Sequence, residues 1–188
     1  MLEWLNLIDR AIFLFVNVTL ANPVTDLIMP VVTSDNLLRV LYGAIMVALL
    51  WKGSARLRWM VLFSALALLL TDQLSSGLLK PLIGRLRPCQ ALENIHLLVA
   101  CGGGKAMPSS HAANAFGQAV LFAVSYASVR WPLLIVAAVV ALSRVFVGVH
   151  YPGDIIVGAL LGSAVGLALA FAERGFNRRR TQSNPTGD

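Results

Sequence analysis

Residues 59–80 read WMVLFSALALLLTDQLSSGLLK, and this stretch decides the fold class. Asp72 is its only charged residue before Lys80, so it matches the ~20 apolar residues with which a helix crosses ~30 Å of hydrocarbon. Further apolar runs lie along the chain, at 37–51, 112–129, 131–149 and 155–172. We therefore predict an all-α integral membrane helical bundle with five transmembrane helices.

The composition of the chain favours the same class. Hydrophobic residues make up 57% of its 188 residues and charged residues only 13%, whereas a soluble domain carries about 25% charge. The mean hydropathy is +0.75. The net charge of +6 comes from basic residues that flank the apolar runs. Because they form no separate basic face, the predicted partner is the lipid bilayer and not nucleic acid.

The amino-terminal stretch, residues 1–33, has a different pattern. Polar residues recur at helical spacing among its Leu, Ile and Phe residues: Glu3, Asn6, Arg10 and Asn17. This pattern is typical of a helix that lies in the membrane interface, and Asn22-Pro23 then interrupts it. We predict interfacial helices here. The alternative is a sixth transmembrane helix through residues 8–20.

The distribution of Lys and Arg predicts the orientation of the bundle. Basic residues collect on one side of the predicted spans: Lys52, Arg56, Arg58, Arg130, Arg174, Arg178, Arg179 and Arg180. By the positive-inside rule this side is cytoplasmic, so residues 80–111 form an outward loop that faces the periplasm or the exterior. We expect one domain over residues 1–173 and a basic, flexible cytoplasmic tail over 174–188.

Three polar motifs lie on the predicted outward side, each at the end of an apolar run. The first reads KPLIGRLRP over 80–88, and the second reads PSSH over 108–111. The third motif has four fixed residues: Ser143, Arg144, His150 and Asp154. Three motifs in this order are much harder to meet by accident than one. The stretch 80–154 resembles the type 2 phosphatidic acid phosphatase superfamily, in its membrane lipid phosphatase branch.

The motifs contain the groups that phosphate ester hydrolysis without a metal requires: a nucleophile, an acid and positive charge around the phosphoryl group. His150 is the candidate nucleophile, since an imidazole nitrogen can attack phosphorus and form a phosphohistidine. Asp154 would fix the tautomer of His150. His111, at the start of a predicted helix, is placed to protonate the leaving oxygen. The resemblance implies the same three catalytic roles, with no metal and no cofactor.

Cationic and hydroxyl groups from all three motifs would hold the phosphate. Lys80, Arg87 and Arg144 form the predicted clamp, because guanidinium groups bind phosphate oxygens bidentately. Ser109 offers a hydroxyl and an amide, and Ser110 offers its amide. The family commonly has Gly where this chain has Ser110, so a backbone that needed a positive φ there would carry a modest steric cost.

The two cysteines, Cys89 and Cys101, both lie in the predicted outward loop. In an oxidising compartment they could pair and restrain the loop that carries the first motif. The alternative, which the sequence favours equally, is two unrelated thiols.

Five further charged residues lie outside the fixed motif positions. Arg85 and Lys105 could contact the substrate headgroup or simply bind bulk lipid phosphate. Asp72 would support the site from within the bundle or, in a transporter, lie on a proton path. Asp26 and Asp35 are interpreted as interfacial caps.

The predicted function is that of a hydrolase, a lipid phosphatase whose site faces the outer leaflet of a bacterial inner membrane. Undecaprenyl diphosphate is the favoured substrate, followed by phosphatidylglycerol phosphate and phosphatidic acid, and lipid A phosphates also fit. A lipid-linked phosphotransferase would use the same phosphoenzyme. A non-enzymatic membrane transporter is the alternative from a different class. The sequence leaves the oligomeric state open.

Overall fold

The computed structural model describes residues 2–183, and throughout this range the regular secondary structure is helical. The α-helices are α1 Leu2–Leu14, α2 Pro23–Val32, α3 Asp35–Lys52, α4 Ala55–Asp72, α5 Lys80–Ile83, α6 Pro88–Ala91, α7 Ser110–Ser125, α8 Arg130–Phe146 and α9 Pro152–Ser183. π-helical turns continue α1 over Phe15–Thr19 and join α4 to α5 over Gln73–Leu79, and a 3₁₀ turn precedes α8 over Ala127–Val129. The predicted all-helical class is confirmed.

Within residues 2–183, three helical stretches are long and apolar enough to cross a membrane: Ala55–Ala91, Ala127–Phe146 and Pro152–Arg180. The pair Glu3–Thr19 and Pro23–Val32, bent by 114°, would be a fourth if it forms one broken span. The membrane class is thus confirmed, whereas the predicted count of five or six spans stays a prediction. α7 has only 16 residues, and α3 carries Asp35, Arg39 and Lys52 among its 18.

Local capping marks the first residues of α2 and of α3. Asn22 caps α2 in a reciprocal capping box with Thr25, and Pro23 occupies the first turn, where its missing N–H costs nothing. Ser34 caps α3 by accepting a hydrogen bond from the Leu37 N–H at 3.4 Å. α2 ends at Val32, and Thr33 is buried at the turn that connects α2 to α3.

α7 lies at the centre of the bundle, in contact with α4, α8 and α9. Its approach to α9 depends on small residues: a methyl group on Gly162 would collide with the Ala113 carbonyl, and one on Gly166 with the Gly117 carbonyl. Close backbone contact of this kind drives helix association in lipid. The small residues of the 155–172 run therefore serve helix packing.

Polar side chains join α7 to α4 inside the bundle. Thr71 Oγ1 donates to Asn114 Oδ1 at 2.5 Å, and Ser64 Oγ donates to Gln118 Oε1 at 2.5 Å. Hydrogen bonds between helices in hydrocarbon contribute about 0.6 to 2 kcal/mol each. These two hydrogen bonds fix the register of α4 against α7. They thereby also fix the position of the π-helical turn that leads to Lys80.

The end of α9 departs from the expected tail. The helix continues to Ser183, so residues 174–183 are helical where a flexible segment was expected. Residues 184–188 lie outside the described residues. The domain boundary at residue 173 stays a prediction.

Glu173 on α9 is 1% exposed and forms a bidentate ion pair with Arg56 of α4, with distances of 2.9 and 3.0 Å. Removing one partner of a fully buried ion pair lowers the free energy of unfolding by about 3–5 kcal/mol. Arg56 is 35% exposed, so water would partly solvate its unpaired charge, and we expect Glu173→Ala to lower the free energy of unfolding by about 2 kcal/mol. The measurement is the thermal unfolding midpoint in detergent, with exposed Arg58→Ala as control. Equal midpoints for both variants would contradict a stabilising role for the pair.

Candidate active site

The three motifs meet at one end of the bundle. The first occupies the end of the α4–α5 segment and the loop after it, the second begins α7, and the third connects α8 to α9. The Ser109 N–H donates to the Asp154 carbonyl at 2.9 Å, which joins the second motif to the third. The Ala106 N–H donates to the Arg85 carbonyl at 2.8 Å and ties the first motif to the segment before the second.

A glycine shapes the approach to His150. Gly148 has φ of 85°, a left-handed conformation that strongly favours glycine, and a Cβ there would lie 2.8 Å from the His96 carbonyl oxygen. The chain can therefore leave α8 at Phe146, turn sharply, and place His150 two residues before Pro152 opens α9.

His150 is 2% exposed and Asp154 is fully buried. Asp154 Oδ2 lies 3.4 Å from His150 Nδ1, a long contact, and accepts a hydrogen bond from the Tyr151 N–H at 2.8 Å. Burial lowers the pKa of His150 to about 4; the Asp154 carboxylate raises this pKa, and the charges of Arg144 and Arg87 lower it. The imidazole is thus neutral near pH 7, as an attacking nitrogen must be.

Arg85 is bound by side chains of the protein itself, partners that neither interpretation offered for it included. Its guanidinium bonds Asp154 Oδ1 at 2.8 Å and Asp9 Oδ2 at 2.6 Å, and lies 4.1 Å from the centre of the Tyr151 ring. Asp9 Oδ1 in turn accepts a hydrogen bond from the Gly153 N–H at 2.7 Å. Arg85 therefore fixes the carboxylate that faces His150.

Ser110 and Lys80 form a second contact between motifs. Lys80 Nζ donates to Ser110 Oγ at 2.9 Å, and the hydroxyls of Ser75 and Ser76 lie 3.1 and 3.0 Å from the same oxygen. Among the described residues Asn94 is the one non-glycine residue with positive φ, so the steric cost considered for Ser110 does not arise.

Asp72 is exposed, and its carboxylate lies 3.5 Å from Ser76 Oγ, next to the Ser110 cluster. Asp72 thus lies beside the site, but it is exposed and not inside the bundle, where the interpretation as an internal support had placed it.

Besides Nδ1 of His150 itself, two hydrogen-bond donors of neighbouring motif residues lack a partner within residues 2–183. Ser109 Oγ and Arg144 Nε are both buried, and within residues 2–183 no group forms a hydrogen bond with either atom. Arg144 Nη1 donates to Thr33 Oγ1 at 2.6 Å, which aims the guanidinium. Buried unpaired polar atoms are rare and mark either strain or a ligand site. Phosphate oxygens would satisfy both.

Arg87 is held by the loop that precedes the second motif. Its Nε donates to the Gly104 carbonyl at 3.0 Å. Cys89 and Cys101 are joined by a disulfide, so the interpretation as two unrelated thiols is wrong. The bond closes the loop immediately before Gly102, and so restrains the backbone that holds Arg87. Lys105, in the same loop, is exposed.

His111 begins α7 and has a side chain that is 15% exposed. Its Nε2 lies 3.1 Å from Asp35 Oδ1 and 3.3 Å from the Thr33 carbonyl oxygen. The pKa of His111 is lowered to about 4, chiefly by burial and then by the charge of Arg144, while Asp35 acts in the opposite direction and raises it.

The interpretation of Asp35 and Asp26 as interfacial caps is therefore incomplete. Asp35 contacts His111, and Asp26 Oδ1 lies 2.9 Å from His96 Nε2. Sequence reasoning missed Asp9, Thr33 and Asp35 as neighbours of the site. Asp9 and Asp35 are charged residues that adjoin apolar stretches far from any motif. This unusual position is the feature of the sequence that could have identified them.

Comparison with known proteins places this arrangement in a family. The model of the PAP2 superfamily matches residues 57–176. The lipid A 4'-phosphatase of Bacteroides thetaiotaomicron is 33% identical over 98% of this chain and 85% of its own.

Two crystal structures have the same fold. The Aquifex aeolicus LpxE structure matches with a TM-score of 0.70 and 25% identity, over 85% of this chain and 93% of that chain. The transmembrane PAP2 type phosphatidylglycerolphosphate phosphatase from Bacillus subtilis matches with a TM-score of 0.65 and 25% identity, over 93% of this chain and 87% of that chain.

Proposed function

Since the chain belongs to the PAP2 superfamily and is a membrane phosphatase that hydrolyses phosphate esters of lipids, we propose that it acts through a phosphohistidine on His150. The observation that carries this proposal is the neutral, buried His150 beside Asp154, with the unpaired donors of Ser109 and Arg144 nearby. An imidazole with this pKa has a free lone pair for attack. The donors would bind the oxygens of the group that it attacks.

The reaction has two steps. In the first, His150 Nε2 attacks phosphorus, the bond between phosphorus and the leaving oxygen breaks, and His111 gives that oxygen a proton. In the second, His111 takes a proton from water, the resulting hydroxide attacks phosphorus, and the P–N bond breaks to release inorganic phosphate and restore His150. Asp154 stabilises the positive imidazole in between.

Five groups would hold the transferring phosphoryl group through both steps. Its equatorial oxygens carry the charge of the transition state, which positive groups and hydroxyl or amide donors stabilise. The proposed ligands are Lys80, Arg87, Ser109, Ser110 and Arg144. The three cations supply charge that a divalent ion supplies in many phosphatases, so we propose that the reaction needs no metal.

We place the site at the outer face of a bacterial inner membrane. In this arrangement α3, the α4–α5 segment, α7, α8 and α9 span the bilayer, α1 and α2 lie at the interface, and the carboxyl terminus is cytoplasmic. The basic residues at the end remote from the motifs support this orientation. The substrate headgroup would enter the site while its chains remain in the bilayer.

We propose a phosphorylated glycolipid of the lipid A type as the substrate. The support is the lipid A 4'-phosphatase that aligns over nearly the whole chain. Undecaprenyl diphosphate, which the sequence favoured, and phosphatidylglycerol phosphate belong in the same test, since a PAP2 crystal structure with 25% identity to this chain is named for the latter.

The test is phosphate release by the detergent-purified protein from lipid A, undecaprenyl diphosphate, phosphatidylglycerol phosphate and phosphatidic acid, with and without EDTA. We expect one lipid to be preferred and its turnover to be unchanged by the chelator. Loss of turnover with EDTA, restored by a divalent cation, would overturn the metal-independent mechanism. Transfer of phosphate to an added lipid or sugar acceptor in excess of phosphate release would identify a phosphotransferase.

A further inference from the structure

The turn between α2 and α3 reaches the site, although it lies before the stretch that the PAP2 model matches. Thr33 is 3% exposed, and its hydroxyl accepts a hydrogen bond from Arg144 Nη1 at 2.6 Å. The Thr33 carbonyl oxygen lies 3.3 Å from His111 Nε2, and Asp35 Oδ1 lies 3.1 Å from the same nitrogen. One short turn therefore contacts both a proposed phosphate ligand and the proposed acid.

These contacts determine which ring nitrogen of His111 exchanges a proton. A carbonyl oxygen and an ionised carboxylate can only accept hydrogen bonds. Nε2 must therefore carry a hydrogen in both the neutral and the charged imidazole. Nδ1 is the nitrogen that gains and loses the proton.

We propose that Asp35 is a positioning residue of the phosphatase reaction: together with Thr33 it fixes the His111 tautomer, so that Nδ1 delivers the proton to the leaving oxygen, and it stabilises the charged form of that imidazole. This inference rests on the proposed function, in which His111 is the general acid. Asp154 has a parallel role toward His150. The difference is that Asp154 lies beside Nδ1 of His150, whereas Asp35 lies beside Nε2 of His111.

The charges around His111 act in opposite directions, and the carboxylate of Asp35 favours the charged imidazole. Burial, Arg144 on α8 and Lys80 on α5 all lower the pKa of His111, whereas Asp35 on α3 and the Thr33 carbonyl raise it. The balance of these effects leaves the pKa of His111 at about 4, so without a phosphate beside it this imidazole is neutral near pH 7. A general acid must be protonated when the substrate is bound, and in the proposed reaction the negative charge of the bound phosphate raises the pKa of His111 together with Asp35. Asp35 is thus the negative side chain that offsets two cations needed for phosphate binding.

Helix capping alone does not account for the position of Asp35. Ser34 is the N-cap of α3 and accepts the Leu37 N–H. Asp35 follows it as the first helical residue, where a carboxylate gains only the modest interaction with the helix dipole. Its contact with His111, 76 positions along the chain, is a tertiary one.

The experiment compares Asp35→Asn with the wild type on two substrates. A lipid phosphate has an alkoxide leaving group that needs a proton, whereas p-nitrophenyl phosphate has a leaving group that departs without one. We expect kcat on the lipid to fall about tenfold or more, a part of the 10²–10⁴-fold that acid catalysis supplies, and to change less than about twofold on p-nitrophenyl phosphate. Retained turnover of p-nitrophenyl phosphate also shows that the variant is folded.

The pH profile gives a second readout. Because the carboxylate raises the pKa of His111, its loss lowers that pKa, and the decline of the lipid rate at high pH should begin at lower pH in Asp35→Asn. A purely structural role would leave the shape of the profile unchanged.

The matched control is Asp26→Asn, which removes a carboxylate of the same segment that pairs with His96 instead. It should leave both substrates and the pH profile unaffected. An equal loss of both substrates in Asp35→Asn, or no loss at all, would overturn the inference. The His150→Ala variant tests the proposed function separately from the inference about Asp35. If His150→Ala keeps its turnover, the proposed function is wrong, and the inference about Asp35 is wrong with it.

Discussion

The His150→Ala variant is expected to lose at least about 10³-fold of the turnover on its lipid phosphate, because the group that forms the bond to phosphorus is gone. His150 is buried between α8 and α9, so the substitution leaves a small cavity without an unpaired charge. The variant should therefore still elute as the folded protein in detergent. His150→Gln, which fills more of the space, provides a second variant if alanine destabilises the fold.

The sharper measurement is the covalent intermediate itself. Wild-type protein quenched within one turnover of a radiolabelled lipid phosphate should carry label on histidine, in a bond that is stable to alkali and labile to acid. His150→Ala should carry none. His96→Ala is the matched control, since this histidine lies in the loop between α6 and α7 and pairs with Asp26. Label that persists in His150→Ala and disappears in another variant would identify a different nucleophile.

The fold class could be predicted from the apolar runs because their length is a local property of the sequence. The number of spans could not. α3 is interrupted by Arg39, and α7 carries Asn114 and Gln118, whose partners on α4 become known only when the helices are packed. In the amino-terminal segment the interruption at Asn22-Pro23 could be predicted from the sequence, but the bend of 114° between the two helices could not.

The site could be predicted as far as its motifs extend. His150 and Asp154 are four residues apart, so their contact follows from one turn of chain. Asp9 and Gly153, by contrast, are separated by 144 positions, and Thr33 and Arg144 by 111. No periodicity or spacing encodes such contacts. Arg85 illustrates the limit, because its place beside the motif predicted a lipid contact and its real partners, Asp9 and Asp154, lie far away in the sequence.

Asp154→Asn should lower turnover by about 10³- to 10⁴-fold, as loss of the orienting carboxylate does in serine protease triads. The amide no longer stabilises the positive imidazole and offers a donor where His150 Nδ1–H needs an acceptor. Since the carboxylate raises the pKa of His150, its loss lowers that pKa. The acidic limb of kcat/KM should therefore shift to lower pH while the plateau falls. Asp26→Asn is the control and should change neither.

The prediction for Asp154 can also be tested with a double variant, since Arg85 contacts the Asp154 carboxylate. Alone, Arg85→Ala should reduce kcat by about 10- to 100-fold, the usual effect of losing an outer partner of a reactive group. The substitution removes the guanidinium nitrogen that lies 2.8 Å from Asp154 Oδ1, so the buried Asp154 carboxylate loses an ion-pair partner. In the Asp154→Asn background the same substitution should cost little more, because its target is already absent. Fully additive losses would mean that Arg85 acts on the substrate and not through Asp154, which would return it to the role of a lipid ligand.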